Sequence, residues 1–325
     1  METAGRWVKY AKDSGKTAAM YELGNETDMD VAYNGYTTAT QYAADATEFI
    51  ANMRAYDASI YTLVNASTFS GWQIVNSIPN ANAVVIHSYP IFEFPGNTAY
   101  GSGNVNYIEY AENNYSGGVY YANKLNIFNK SIDTALGAVT KPLHLTETNV
   151  MDFSAYNGGV GWPLANDVSR MLLLADMFIA QSLKVASWIV WSTRWTDTPG
   201  KNSNLLFGVF DNFNGFLPTG HAFRMISLAT RDYGTVLNSC STSQYIKILP
   251  IIANGIIRIL IVNKSANPQD VDIQLNVNEV VEHTVIYGER NDSTVVLSAT
   301  GAHLVSQGHI YTRVRPLSIS LIKTV

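Results

Sequence analysis

Cysteine is almost absent from this chain, since Cys240 is the only one in 325 residues. A single cysteine excludes an intrachain disulfide and any metal site built from several cysteines. Charge is also scarce: 14% of residues are charged, and the formal net charge is -5. A lightly charged, slightly acidic surface argues against nucleic acid or an anionic membrane as a partner.

Long apolar runs and several common catalytic motifs are missing as well. Residues 171–189 come closest to a membrane span, but Asp176, Gln181 and Lys184 interrupt them. The sequence has no G-x-x-x-x-G-K-[ST] phosphate loop, no H-E-x-x-H zinc helix and no G-x-S-x-G nucleophile elbow. The six histidines show no ligand spacing. We therefore expect no catalytic metal and no other cofactor, and the sequence leaves a structural cation open.

Aromatic, hydroxyl and amide side chains are abundant instead. Nineteen tyrosines and six tryptophans are more than a core requires. Such side chains suit the faces and hydroxyl groups of sugars, although any one of them could equally fill a large core.

Strand-like and helical segments alternate over residues 1–233. The predicted strands are 17–23, 60–65, 83–90, 142–147 and 185–191, and the predicted helices are 4–14, 37–56, 119–136, 165–182 and 220–232. This alternation is typical of a parallel sheet covered by helices. Five strands are fewer than the eight of a closed (β/α) barrel. Residues 1–233 are therefore predicted to form an incomplete barrel.

The pattern changes beyond residue 233. Short strand-like segments follow one another, at 245–249, 256–263, 271–275, 283–287 and 317–322, and several of them have apolar residues at alternate positions. No helical pattern interrupts them. Residues 234–325 are therefore predicted to form a second domain, a C-terminal antiparallel β-sandwich.

Two glutamates lie where predicted strands end. Glu26 closes the stretch Y-E-L-G-N-E, directly after Asn25, and Glu147 lies in L-H-L-T-E-T-N, with Asn149 two residues later. Glycoside cleavage needs one carboxyl group to protonate the leaving oxygen and a second one to attack or stabilise the sugar carbon. Carboxyl groups about 5–5.5 Å apart would give a retaining enzyme, and a gap of about 6.5–9.5 Å an inverting one. The sequence leaves both open, and either glutamate alone could be a salt-bridged residue at a strand end.

These stretches resemble clan A glycoside hydrolases. G-N-E after a strand looks like their acid/base motif, and T-E after a later strand looks like their nucleophile motif. The stretches V-V-I-H-S-Y-P, S-W-I-V-W and H-A-F-R-M-I-S-L-A-T-R-D-Y-G extend the resemblance over nearly the whole chain. The wider pattern is similar to α-L-arabinofuranosidases of family 51 and to families 39 and 79.

The resemblance implies roles for individual residues. Glu26 would be the general acid/base on barrel strand four, and Glu147 the nucleophile on strand seven. Asn25 would hold the sugar 2-hydroxyl, and Asn149 is a further candidate for substrate binding. On strand six, His87 and Tyr89 match a His-x-Tyr pattern whose tyrosine donates a hydrogen bond to the nucleophile. On strand eight, Trp191 would form part of the sugar platform. The alternatives are a purely structural hydrogen bond for His87 and a core position for Trp191.

Strict alternation makes a prediction about His144. It lies three residues before Glu147, so it should face the helices if Glu147 faces the catalytic side.

Strands one to three of the barrel are absent if Glu26 closes strand four. An open sheet edge at residues 17–23 would expose unpaired backbone groups. Either the chain is a fragment, or it is a short form whose edge another copy covers. Both predict a homo-oligomer.

The predicted activity is retaining hydrolysis of plant cell-wall polysaccharides or oligosaccharides, with arabinofuranosides first. The alternatives are a xylan- or glucan-directed glycosidase of the same clan, a catalytically weak carbohydrate-binding protein, and a purely structural oligomer. No signal peptide is present, but we expect a secreted or periplasmic bacterial protein. The loops 91–115 and 192–217 are expected to shape the subsites.

Overall fold

The computed structural model describes residues 2–18, 20–27, 36, 38–65, 76–87, 137, 139–150, 166–194, 208–243, 245–275, 280–289, 292–299 and 304–324. The chain divides into two compact units. The first contains the described residues within 1–88, 126–148 and 184–189, and the second those within 149–183 and 190–325. The predicted helix 119–136 and loop 91–115 lie outside the described residues.

The first unit is built on a five-stranded sheet whose strand order follows the chain. Its strands are β1 (Tyr21–Leu23), β2 (Thr62–Asn65), β3 (Ala83–His87), β4 (Leu143–Thr148) and β5 (Ser187–Val190). Pairing from β1 through β4 is parallel. Parallel strands in chain order, covered by helices, are what part of a (β/α) barrel requires, so this part of the fold prediction is confirmed.

Two helices of the first unit cover the start of the sheet: α1 (Glu2–Asp13) and α2 (Ala39–Arg54). The side chain of Thr38 caps α2 by accepting a hydrogen bond from the Gln41 N–H at 3.2 Å. Val8, Met53 and Ile60 are buried together beneath the helices. Tyr21 and Leu23 of β1 pack against this cluster, so both helices share a small apolar core with the first strand.

Two predictions about this region are wrong in detail. The helical pattern of residues 4–14 predicts Trp7, Val8 and Tyr10 on one side of the helix, but Trp7 and Tyr10 are 72% and 73% exposed. Of the three only Val8 is buried, together with Gly5. Gly5 is required there because a Cβ atom would lie 2.7 Å from the ring of Tyr56. The first strand is also shorter than predicted, because pairing with β2 begins only at Tyr21.

The two faces of the sheet carry different side chains. One face packs against α2 through an apolar cluster that includes Val64, Ile86 and Leu145 with Tyr42 and Ile50 of the helix. The other face, here called the inner face, carries Leu63, Ala83 and Val85. Glu22 pairs in register with Leu63, so it also lies on the inner face.

The described part of the second unit contains two helices and two antiparallel sheets. The helices are α3 (Val168–Gln181) and α4 (Pro218–Ala229). The strands are β6 (Thr235–Val236), β7 (Ile246–Ala253), β8 (Ile256–Asn263), β9 (Gln269–Gln274), β10 (Val280–Tyr287), β11 (Val296–Ala299), β12 (Leu304–Ser306), β13 (His309–Val314) and β14 (Ser318–Thr324). They form a six-stranded sheet in the order β11-β10-β14-β8-β7-β6 and a three-stranded sheet in the order β12-β13-β9.

One apolar cluster joins the two antiparallel sheets. Ile259 and Ile322 come from the larger sheet, and Ile273, Ile310 and Val314 from the smaller one. Facing sheets with a shared core form a sandwich, so the predicted C-terminal sandwich is confirmed. The five predicted strands are present, but β6, β11, β12 and β13 were missed. In β13 a threonine, Thr312, takes one of the inward positions, which weakened the apolar alternation.

Among the described residues, no helix is both long enough and apolar enough to cross a membrane.

Candidate active site

The turn after β1 brings Glu26 back toward the sheet. Gly24 has φ +89° and Glu26 has φ +44°. A Cβ atom on residue 24 would lie 2.4 Å from Cγ2 of Thr27, so only glycine fits there. A glutamate in the left-handed region is uncommon, and such local strain concentrates at functional sites.

A β-bulge in β4 decides which way Glu147 points. Ile86 pairs with Leu145, but the next residue, His87, pairs with Glu147, so Thr146 is the extra residue. Because of this extra residue, Glu147 joins His87 on the inner face.

The same bulge overturns the prediction for His144. Its ring lies on the inner face, where Nδ1 is 2.8 Å from Oγ of Ser187 and the ring centroid is 5.9 Å from that of Tyr61. Leu143 and Leu145, its neighbours, are the residues that face the helices. The prediction was wrong because it assumed that side chains alternate without interruption from His144 to Glu147, whereas the bulge at Thr146 interrupts the alternation.

His87 is the centre of the site. Its Nδ1 lies 3.1 Å from Oε1 of Glu26 and 3.5 Å from Oε2 of Glu147, and its Nε2 lies 3.6 Å from Oε1 of Glu22. The side chain of His87 is 3% exposed, whereas those of Glu22, Glu26 and Glu147 are 25%, 29% and 21% exposed. A buried imidazole thus lies among three carboxylates that solvent can reach.

The carboxylates control the protonation of His87. Burial by itself lowers the pKa of an imidazole, because it disfavours the charged form. Here the contacts with Glu22 and Glu26 and the nearby charge of Glu147 outweigh burial and raise the pKa of His87 to about 9. At neutral pH the site therefore contains an imidazolium ion.

Glu26, His87 and Glu147 also meet the distance requirement for a metal site. Each offers one ligand atom, and these atoms lie within 4.8 Å of one another. A metal ion bound here would displace a proton from the ring of His87. From the distances of Nδ1 to Glu26 and Glu147, 3.1 and 3.5 Å, we interpret the cluster as an ion-paired group. Glu26 and Glu147 present oxygens within 4.8 Å of each other.

The other candidate residues lie elsewhere. Asn25 is exposed on the turn that carries Glu26, and Tyr89 lies outside the described residues. Asn149 and Trp191 belong to the second unit. There Nδ2 of Asn149 donates to the carbonyl of Trp191 at 2.6 Å, and its Oδ1 accepts from the Val150 N–H at 2.7 Å. The side-chain amide of Asn149 thus binds the backbone of both Trp191 and Val150. The side chain of Trp191 is half-buried.

Sequence analysis missed three residues that organise the site. Glu22 is the third carboxylate, and Nδ2 of Asn65 donates to its Oε1 at 3.5 Å. The hydroxyl of Tyr42 donates to the carbonyl of Leu23 at 2.6 Å and accepts from the Asn65 N–H at 2.7 Å, so it ties the ends of β1 and β2 together. One signal was available: Glu22 lies between Tyr21 and Leu23, so if those two face the helices it must be on the inner face.

Solved structures share this fold. The family 51 arabinofuranosidase from Xanthomonas axonopodis pv. citri has a TM-score of 0.63 and 13% identity, covering 99% of this chain and 72% of that one. The family 30 endoxylanase from Clostridium papyrosolvens C71 has a TM-score of 0.59 and 11% identity, covering 99% and 69%. The family 44 xyloglucanase from Paenibacillus polymyxa has a TM-score of 0.63 and 12% identity, covering 99% and 70%.

These neighbours are clan A glycoside hydrolases, so the resemblance inferred from the sequence is confirmed at the level of the fold. No protein-family model and no curated protein sequence matches the chain.

Proposed function

We propose that this chain is a retaining glycoside hydrolase that acts on plant cell-wall polysaccharides or oligosaccharides, with α-L-arabinofuranosides as the first substrate class. The observation that carries the proposal is the group formed by Glu26, His87 and Glu147 on the inner face of the sheet. The oxygens of Glu26 and Glu147 lie within 4.8 Å of each other. That spacing favours the retaining geometry, with its gap of about 5–5.5 Å, over the inverting one.

In the proposed mechanism Glu147 attacks the anomeric carbon while Glu26 protonates the leaving oxygen. The bond to the leaving group breaks as the bond from carbon to the Glu147 oxygen forms, which gives a glycosyl ester. Glu26, now a carboxylate, then takes a proton from water, and the resulting hydroxide attacks the same carbon and releases Glu147. His87, whose Nδ1 lies 3.5 Å from Oε2 of Glu147, helps to hold that side chain in place for the attack.

The remaining candidates have supporting roles in this proposal. Asn25, exposed next to Glu26, holds the sugar 2-hydroxyl. Tyr89 and Trp191 remain candidates for substrate binding on the strength of the sequence resemblance. Asn149 contributes by holding the carbonyl of Trp191 at 2.6 Å. We also propose a secreted or periplasmic location and a division between the catalytic and sandwich domains at residue 233.

A second substrate class is favoured by the structural neighbours. An endoxylanase and a xyloglucanase match with TM-scores of 0.59 and 0.63, close to the 0.63 of the arabinofuranosidase. A xylan- or glucan-directed activity of the same two glutamates is therefore the alternative.

A panel of aryl glycosides, arabinoxylan, xylan and xyloglucan tests both classes with the purified protein. We expect hydrolysis of the arabinofuranoside, and proton NMR of the first product should show the anomeric configuration of the substrate. Glu147→Gln should abolish hydrolysis, whereas Glu48→Gln, which changes an exposed glutamate on α2, should leave it unchanged. Sugar binding by the parent protein with no hydrolysis of any substrate would favour a carbohydrate-binding protein instead.

A further inference from the structure

Three carboxylates surround His87, but the proposed reaction uses only two of them. Glu22 faces Nε2 at 3.6 Å, on the opposite edge of the ring from Nδ1, which faces Glu26 at 3.1 Å and Glu147 at 3.5 Å. A neutral imidazole can donate from only one nitrogen, whereas the protonated ring donates from both. Only the protonated ring therefore suits carboxylates on both edges.

We propose that Glu22 is a positioning residue of the proposed glycosidase site, which fixes the His87 ring so that its Nδ1–H points at the paired oxygens of Glu26 and Glu147. This inference rests on the proposed function for its catalytic meaning. It rests on the geometry alone for the pairing of Glu22 with His87.

Glu22 is itself held in place. Its Oε1 accepts from Nδ2 of Asn65 at 3.5 Å, and the backbone of Asn65 is fixed by the Tyr42 hydroxyl at 2.7 Å. The same hydroxyl donates to the carbonyl of Leu23, the residue after Glu22, at 2.6 Å. Both strand ends that position the carboxylate are thus tied to one buried side chain.

Among the residues that the structure describes, the charged and titratable groups that face His87 come from β1, from the turn after it and from β4. They are Glu22, Glu26 and Glu147. His144 of β4 shares the inner face, and burial lowers its pKa, so it adds no positive charge at neutral pH. Asn65 of β2 is uncharged. Glu22 is therefore the carboxylate that holds the second ring nitrogen without taking part in the reaction.

Titration of His87 by NMR tests the pairing without any need for activity. The protein is labelled with ¹³C at Cε1 of histidine, and His87→Gln assigns the resonance among the six histidines. We expect Glu22→Gln to lower the apparent pKa of His87 by at least about one unit, since an opposite charge at this distance is worth about 1–3 units. Glu22→Asp, which keeps the charge, should retain most of the shift, and Glu48→Gln should change nothing. An unchanged titration in Glu22→Gln would overturn the proposal.

The pH profile of kcat/KM tests the catalytic meaning. At pH 5–6, where His87 is protonated in both proteins, the kcat/KM of Glu22→Gln should stay within several-fold of that of the parent. On the alkaline side, the kcat/KM of Glu22→Gln should fall at a lower pH than that of the parent. An equal loss at every pH would overturn the positioning role, because it would indicate structural damage. If the parent hydrolyses nothing and the NMR shift still appears, the proposed function fails while the pairing of Glu22 with His87 stands.

Discussion

Nδ1 of His87 lies 3.1 Å from Oε1 of Glu26 and 3.5 Å from Oε2 of Glu147. The His87 side chain that contacts both glutamates is 3% exposed. Glu26 comes from a left-handed turn after β1, and Glu147 from a bulged segment of β4. His87, at the end of β3, lies between the two in the order of the sheet. Two backbone irregularities and one buried ring thus bring the carboxyl groups together.

Loss of the acid/base residue should depend on the leaving group. We predict that Glu26→Ala lowers kcat by about 10²–10⁴-fold on substrates whose leaving oxygen needs a proton. The loss should be much smaller on dinitrophenyl glycosides, whose leaving group departs unprotonated. Azide should restore turnover of these and yield a glycosyl azide of retained configuration, because it attacks the glycosyl ester without a base. Equal losses on both kinds of leaving group would contradict the role of Glu26.

Protonation of His87 should stabilise the fold in a defined pH range. Its pKa is raised from 6.5 to about 9, so the folded protein holds a proton that the unfolded chain releases. The stability gained is present in full below about pH 6.5 and is lost as the pH rises through about 9. We therefore predict that the difference in Tm between the parent and His87→Gln is larger at pH 6 than at pH 9.5. A difference that does not change with pH would contradict the shifted titration.

The hydroxyl of Tyr42 should stabilise the first unit. Tyr42→Phe removes the hydrogen bonds to the carbonyl of Leu23 and from the N–H of Asn65, and the tyrosine is 2% exposed. Leaving such buried groups unpaired costs about 1–3 kcal/mol. Chemical denaturation should show a loss of that size in the free energy of unfolding. Tyr10→Phe, at a residue 73% exposed, is the matched control and should show none.

Self-association through the edge of the parallel sheet remains a prediction. In the described part of the chain, β1 pairs with β2 on one side, and Met20 beside it is 45% exposed. Charged residues on an edge strand discourage pairing with another copy. Sedimentation velocity should show a concentration-dependent oligomer that Met20→Lys weakens and Leu183→Lys, at a residue 50% exposed in the second unit, does not. A parent protein that stays monomeric at high concentration would rule this out.

The fold was predictable because periodicity and length are local signals. Short apolar runs indicated β8 and β14, and the helical pattern over residues 37–56 indicated α2. Exposed Trp7 and Tyr10 were not predictable in the same way, because the close approach of Gly5 to Tyr56 decides which side of α1 is buried.

The candidate site was predictable only in part. The motifs gave Glu26, His87 and Glu147, which the structure brings together on one face. The inward direction of Glu147 depends on the bulge at Thr146, and Glu22 belongs to the site because of its distance from His87. The direction of Glu147 and the place of Glu22 in the site both depend on how neighbouring strands pair. The sequence of a single strand does not determine that pairing.

Trapping of the glycosyl ester tests the central claim most directly. The protein is incubated with a dinitrophenyl 2-deoxy-2-fluoroglycoside of the sugar that the panel selects, digested with pepsin and analysed by mass spectrometry. The account predicts an added mass of one fluoroglycosyl group on the peptide that contains Glu147, and on that carboxylate. A label on a different residue, or a product of inverted configuration with no label at all, would contradict it.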